Sequence, residues 1–264
     1  MHVGVHFVDE AANALLGAYA SRTALPPLAV TYPGLSASDA YAIQLAQVAA
    51  WTAEGAVVKG HKVGLTSAAM QRQLGVEQPD FGHLLDTMFL PEGAPAAYGR
   101  FLQPKAEPEI AFVLGRGLAG PGVTVAEALA AVDFVLPALE IIDSRIADWK
   151  ITLADTIADN ASSGAVVLGG RPVKPEALDL SLTGCLLRKN GRIEGTGAGG
   201  AVLGSPVNAV VWLANTLGAR GVALEAGHVI LPGSVCAAIP FNPSDTVAAS
   251  FDRIGTVSVT FSEK

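Results

Sequence analysis

The 264-residue sequence has two cysteines, Cys185 and Cys236, and no run of basic residues. Two thiols so far apart, without metal-type spacing, give neither a disulfide framework nor a thiolate metal site. Seventeen Lys and Arg against 24 Asp and Glu leave a formal charge of −7, with the cations scattered. That argues against a nucleic-acid or anionic-membrane surface, so any anionic ligand must be held by local cations. No stretch of about 18 apolar residues is apparent, so no membrane-spanning helix is expected. The start, Met1 to Glu10, lacks the basic and then apolar blocks of a signal peptide. A cytoplasmic protein is the expectation. There are no repeats and no low-complexity tracts.

Half of the residues are hydrophobic and 16% are charged, enough apolar material for a sizeable core in one large domain or two small ones. Helical spacing of Ala11, Leu15, Leu16 and Tyr19 predicts a helix from Val8 to Arg22. Ser38 is the expected cap of a second helix running to about Glu54, its apolar face made by Ala42, Leu45, Val48 and Trp51. A strand-like run from Ala56 to Thr66 contains His61 and Lys62. Ser67 opens a short helix to Leu74, and Gln78-Pro-Asp-Phe-Gly82 reads as a turn. The Pro/Gly/Ala-rich connector from Pro91 to Tyr98 sets a soft boundary between an N-terminal part, 1–98, and a β-rich body, 99–264. In the body, strands are expected at 107–114 and 134–143, and a helix capped by Thr124 at 125–132. Asn190-Gly191 predicts a hairpin, and Ser205-Pro206 opens a helix through Leu217. The last strands are 229–231, 246–251 and 256–261. Helices segregated from a largely antiparallel sheet make the class α+β.

The chemistry centres on Lys105-Ala-Glu-Pro-Glu-Ile-Ala-Phe-Val-Leu114. On a strand, residues two apart share a face, so Glu107 and Glu109 look into one space. Glu140 lies in an equally apolar run. Burying a bare carboxylate costs several kcal/mol unless it is paired or holds a metal. Either these acids hold a hard divalent cation, or Glu107 and Glu109 sit in solvent and Glu140 pairs with an arginine such as Arg145. Lys62 is either an exposed edge residue or a site cation, and Asp80 either a turn former or an acid aimed at a pocket. A lone His61 reads as structural. Asp155, Asp159 and Asn160 read as backbone caps. Gly233-Ser234 is either an anion-binding turn or an ordinary one. Ser234 and Cys236 have no local base to activate them. Gly195 to Gly200 lacks the features of a phosphate loop and reads as a mobile or tightly packed loop.

Six runs occur in order: Gly60-His-Lys-Val-Gly-Leu-Thr66, Gln78-Pro-Asp-Phe-Gly82, Glu107-Pro-Glu-Ile-Ala-Phe-Val113, Pro137-Ala-Leu-Glu-Ile-Ile-Asp-Ser-Arg145, Ala158-Asp-Asn-Ala-Ser162 and Leu203-Gly-Ser-Pro-Val-Asn208. Together they resemble the hydratase/decarboxylase branch of the fumarylacetoacetate hydrolase superfamily, over nearly the whole chain. The resemblance implies a mixed β-roll core with a small N-terminal α/β part, one Mg²⁺ or Mn²⁺ per subunit and a homo-oligomer, with possible docking of a pathway decarboxylase or aldolase. It implies Glu107, Glu109 and Glu140 as metal ligands, Lys62 and Asp80 as acid/base residues, and Leu65, Ser162, Gly233 and Ser234 as pocket lining. The implied activity is addition of water to 2-hydroxypenta-2,4-dienoate, a small 2-hydroxydienoic acid, in aromatic meta-cleavage degradation. Decarboxylation of 4-oxalocrotonate is the alternative. The histidine and glutamate pair of the superfamily's C–C hydrolases has no counterpart here, and a catalytically silent scaffold is disfavoured by the full acid set.

Overall fold

A computed structural model describes residues 5–263; the Met1 to Gly4 part of the N-terminal reading lies outside the described residues. The helices are α1 (Val5–Ser21), α2 (Leu28–Thr31), α3 (Ala37–Ala53), α4 (Ala68–Leu74), α5 (Val125–Ala131), α6 (Leu153–Ala158) and α7 (Pro206–Gly218). The strands are β1 (Val58–Gly64), β2 (Asp80–Leu85), β3 (Phe89–Leu90), β4 (Ala96–Ala97), β5 (Lys105–Leu114), β6 (Val132–Ile142) and β7 (Ser163–Leu168). They continue with β8 (Gly184–Lys189), β9 (Arg192–Ala198), β10 (Val229–Leu231), β11 (Ile239–Pro240), β12 (Thr246–Phe251) and β13 (Gly255–Ser262).

The larger sheet runs β2-β1-β10-β5-β6-β7-β3, with β11 added to β5. It is mixed, since β1 pairs β10 and β3 pairs β7 in parallel while the others are antiparallel. It takes strands from both sides of position 98. A second sheet, β4-β13-β12-β8-β9, packs on it. The main core fills the space between them, with Ile110, Phe112, Leu139 and Ile141 from the first sheet and Val247, Val257 and Phe261 from the second. The other face of the large sheet carries a smaller apolar cluster that includes Ala111, Leu136, Ala138, Val166 and Leu231. That smaller face is the one with the acids, because Glu107 and Glu109 are in step with Ala111 along β5.

Local sequence explains most elements and corrects several expectations. The cap of α3 is Ser36, not Ser38: Ser36 Oγ accepts from the Asp39 N–H while Asp39 reaches back to Ser36. The buried face of α3 is also rotated from the apolar one expected. Leu45 is 50% exposed, whereas Gln44 and Gln47 are fully buried. Their amides donate to the Phe81, Ile157 and Ala158 carbonyls, so burying them fastens the helix to α6 and β2. Thr124 and Thr152 open α5 and α6 with complete capping boxes to Glu127 and Asp155. Asn190 and Gly191 both adopt positive φ, as the β8–β9 hairpin turn requires.

The glycine-rich stretch after Arg192 is strand β9. Tight packing explains it: a Cβ on Gly197 would lie 1.9 Å from the Val235 carbonyl oxygen. Asp80 opens strand β2 instead of forming a turn, and it is buried. The expectation of no membrane-spanning helix meets one candidate. Gly199–Gly218 has the length and mean hydropathy of one. Its helix, α7, covers only 13 residues and buries Val207, Val210, Leu213 and Leu217 in the core.

Candidate active site

Cross-strand register assembles the site. β5 and β6 pair so that Glu107 faces Glu140 directly, with Glu109 one step further along the same face. Oxygens of all three carboxylates lie within 4.8 Å of one another. Lys62 reaches in from β1: its Nζ is 3.4 Å from Glu140 Oε1 and donates to the Ala161 carbonyl at 3.0 Å. It is 4% exposed, so Lys62 is a buried cation and not an edge residue. Asp80 pairs in register with Gly64 at the start of β2. A Cβ on Gly64 would fall 2.2 Å from Asp80 Oδ1 and 3.6 Å from Lys62 Nζ. The glycine therefore leaves the space in which Asp80 and Lys62 come together.

Glu140 does not pair with Arg145. That arginine is taken by Asp159, with Nε donating to Oδ1 at 2.6 Å and the backbone N–H to Oδ2 at 2.9 Å. The bond anchors the next three residues. Asn160, Ala161 and Ser162 all have φ near +50°, a left-handed run without a glycine. Such backbone is strained and persists only where the surroundings over-determine it. Here Asn160 exchanges two hydrogen bonds with the backbone of His83, at 2.7 and 2.9 Å. Gly82 leaves room for the run, since a Cβ there would meet the Asn160 carbonyl oxygen at 2.4 Å. The strained turn aims the Ala161 carbonyl at Lys62 and buries the Ser162 hydroxyl without a partner.

On the other side, Gly233 donates its N–H to Glu109 Oε2 at 2.7 Å. Its φ of +118° and the 1.9 Å that would separate a Cβ from Thr66 Oγ1 both demand glycine. Ser234 is half-buried and spends its hydroxyl on the Cys236 carbonyl at 2.6 Å. Leu65, half-buried with φ of 56°, lies on the turn just after β1. Thus Lys62, Asp80, Glu107, Glu109 and Glu140 converge, Gly233 and Ala161 touch them through the backbone, and Ser234 faces its own turn. No local pattern points to Thr156, whose hydroxyl donates to Asp80 Oδ2 at 3.2 Å.

The charges are mutually dependent. Burial works against the Lys62 ammonium, but Glu140, Glu107, Asp80 and Glu109 outweigh it and hold its pKa above that of ordinary lysine. Burial raises Glu107 to about 7, with repulsion from Glu140 adding and Lys62 opposing. Glu109 is pushed well above the usual carboxylate range by burial and then by Glu140 and Glu107. Burial raises Glu140 and Asp80 as well, against the pull of Lys62. Glu109 Oε1, Glu140 Oε2 and Asp80 Oδ1 are buried acceptors without a hydrogen-bond partner. Three converging carboxylates with spare oxygens, in apolar surroundings, fit a hard divalent cation.

Matching the family's Fumarylacetoacetate (FAA) hydrolase C-terminal model over residues 59–262, the chain belongs to the fumarylacetoacetate hydrolase family. Among curated relatives, it is 46% identical over 253 residues to a 2-keto-4-pentenoate hydratase of Paraburkholderia xenovorans (strain LB400), covering 96% of this chain and 94% of that one. It is 42% identical to a 2-oxo-hept-4-ene-1,7-dioate hydratase of Escherichia coli, covering 91% and 92%. Among solved structures it superposes on a 4-oxalocrotonate decarboxylase from Pseudomonas putida G7, complexed with magnesium and adipate. The TM-score is 0.95, at 36% identity over 98% of each chain.

Proposed function

We propose that the chain is a divalent-metal-dependent hydratase that converts 2-hydroxypenta-2,4-dienoate and water into 4-hydroxy-2-oxopentanoate. The observation that carries the reading is the convergence of half-buried Glu107 with buried Glu109, Glu140 and Lys62, in a chain whose full-length relatives are named hydratases. Those three carboxylates would hold the ion, and Mg²⁺ or Mn²⁺ suits an all-oxygen set. When bound, the ion supplies Lewis-acid stabilisation of negative charge on the substrate's oxygens.

The chain's own residues do the rest. Hydration moves the enol O–H proton off, forms one C–H bond at carbon 5 and adds the hydroxyl and hydrogen of water to carbons 4 and 3. Asp80 suits proton transfer, because burial favours its protonated form while Oδ1 has no protein partner. Lys62, held by Glu140 and the Ala161 carbonyl, offsets the negative charge that gathers beside it. Gly233 fixes one oxygen of Glu109, leaving the other for the ion. Ser162 offers an unpartnered hydroxyl to the substrate, with Leu65 and the backbone of Gly233-Ser234 as the rest of the proposed lining.

Decarboxylation of 4-oxalocrotonate is the rival, supported by the superposition on the decarboxylase. The test uses purified protein with Mg²⁺. Loss of the dienol's ultraviolet absorbance with formation of 4-hydroxy-2-oxopentanoate is expected, with no CO₂ from 4-oxalocrotonate. CO₂ release without hydration would transfer the assignment to the decarboxylase.

A further inference from the structure

β5 carries a third chemistry-bearing residue on the acid face. Lys105, Glu107 and Glu109 are spaced by two, so all three project to one side of the sheet. Lys105 is only half-buried, at the open end of that row, and its charge acts on Glu107. Its ammonium lies 4.2 Å from the centre of the Trp149 ring. Trp149 is itself fixed, donating Nε1–H to the Gln103 carbonyl at 3.0 Å from a loop in which Asp148 and Trp149 both have positive φ. The ring gives the ammonium a defined resting place. Among the described residues it meets no carboxylate at ion-pair distance and no hydrogen-bond acceptor.

Charge balance says what such a cation is for. Four acids, Glu107, Glu109, Glu140 and Asp80, surround one buried ammonium, Lys62. With a divalent ion and a monoanionic 2-oxo acid added, the enclosure is left two charges negative. A proton on Asp80 removes one of those charges. Uncompensated buried charge is expensive, so a second cation is needed when the substrate arrives, and Lys105 is half-buried two residues before Glu107 on the same face of β5.

We infer that Lys105 is a substrate-binding and specificity-determining residue, whose ammonium takes a carboxylate of the incoming 2-oxo acid at the mouth of the site. The inference rests on the 2-oxo-acid reading of the centre but not on which reaction follows. The carboxylate is either the one beside the keto group or a second one at the far end of a dicarboxylic substrate, and two ligands separate these sources.

The experiment is calorimetry on Mg²⁺-loaded protein with 2-oxopentanoate and 2-oxoadipate, on wild type, Lys105→Met and Lys105→Arg. Methionine keeps an unbranched stem against Trp149 and removes only the charge. Lys105→Met should weaken 2-oxo-acid binding about tenfold, as expected for loss of a charge-assisted bond. Lys105→Arg should recover most of it, and Mg²⁺ affinity should not fall. Equal loss for both ligands assigns the carboxylate beside the keto group, and a larger loss for 2-oxoadipate assigns the far one. In turnover of the dienol, KM should rise with kcat nearly unchanged. Unchanged affinity for both acids overturns the inference. So does a parallel fall in Mg²⁺ affinity, which marks a merely structural role, or failure of wild type to bind either acid. Charge-dependent binding in a protein that does not hydrate the dienol would uphold Lys105 and sink the hydratase reading alone.

Discussion

Two buried charged groups lie side by side in this chain and are built on opposite plans. In the first, Arg145 is enclosed by Asp159 and Asp143. Both Asp159 oxygens accept from Arg145, and Asp143 accepts from the Leu102 and Gln103 amides. In the second, Glu107, Glu109, Glu140 and Asp80 surround Lys62, and three of their oxygens have no partner. The first is charge-balanced, with Arg145 Nη1 alone of its guanidinium nitrogens lacking a hydrogen bond and lying 3.6 Å from Asp143 Oδ2, and it fixes the strained Asn160–Ser162 turn. The second is short of positive charge. Buried carboxylates with idle oxygens call for a proton, a water or a ligand to complete them, and on the proposed reading the difference separates a fastening from a site.

The widest gap between the two should appear on removing one carboxylate from each. Asp159→Asn leaves the buried Arg145 guanidinium without its counter-charge, and should cost about 3–5 kcal/mol of folding stability in urea unfolding. Glu109→Gln in metal-free protein should cost little or raise the melting temperature, because it removes a carboxyl group whose ionised form burial, Glu140 and Glu107 all disfavour. Comparable destabilisation by both variants would collapse the distinction.

Ligand binding reverses the ranking. Glu109→Gln should reduce Mg²⁺ affinity more than about 100-fold by calorimetry, beyond the 10–100-fold typical of an outer partner of a metal site. Asp159→Asn, where it folds, should stay within that outer range. Full Mg²⁺ affinity in Glu109→Gln would remove Glu109 from the ligand set.

The opposite face of β1 sharpens the contrast between buried groups with charge and without. His61 packs on His83 with ring centres 4.8 Å apart, and His83 Nδ1 is 3.0 Å from Gln44 Oε1. Burial lowers His83 to about 4 and also depresses His61, the neighbouring histidines adding to the latter. Below the unfolded value near 6.5 the unfolded chain takes up protons that the fold refuses. The stability that neutral His83 contributes is therefore complete above pH 6.5 and lost as pH falls towards 4. At pH 5 that loss amounts to about 2 kcal/mol. The raised carboxylates titrate with the opposite sign, so the clean measure is the difference between wild type and His83→Gln. Wild type should lose that much more on going from pH 7 to 5, and identical pH slopes would refute the assignment.

How far the site was legible from sequence follows from which contacts are local. The i, i+2 spacing of Glu107 and Glu109 and the apolar runs around Glu140 and Lys62 are written in short stretches, and the family resemblance joined them. The register that sets Glu107 against Glu140 is a long-range pairing that no local pattern carries. Gln44 and Gln47 were hidden because polar residues on a helix suggest solvent, and only their distant carbonyl partners make burial favourable. The turn from Asn160 to Ser162 lacks the glycine that would announce left-handed backbone. Lys105 was visible in the motif, yet its role needed Trp149, which comes from another loop.

The smallest effect tests the finest part of the contrast, an acid of the open cluster that the chain partly satisfies. Thr156 donates to Asp80 Oδ2 at 3.2 Å and thereby favours the carboxylate, against the larger effect of burial. Thr156→Val keeps the shape and deletes the donor. The loss of one hydrogen bond should cost about 1 kcal/mol of stability, and Asp80 should hold its proton to higher pH. Whichever limb of the pH–rate profile Asp80 sets must then move upward, while Mg²⁺ affinity is unchanged. A profile that shifts downward, or not at all while stability falls, would show that Asp80 does not move the proton in the rate-limiting step and would place it with the fastening residues.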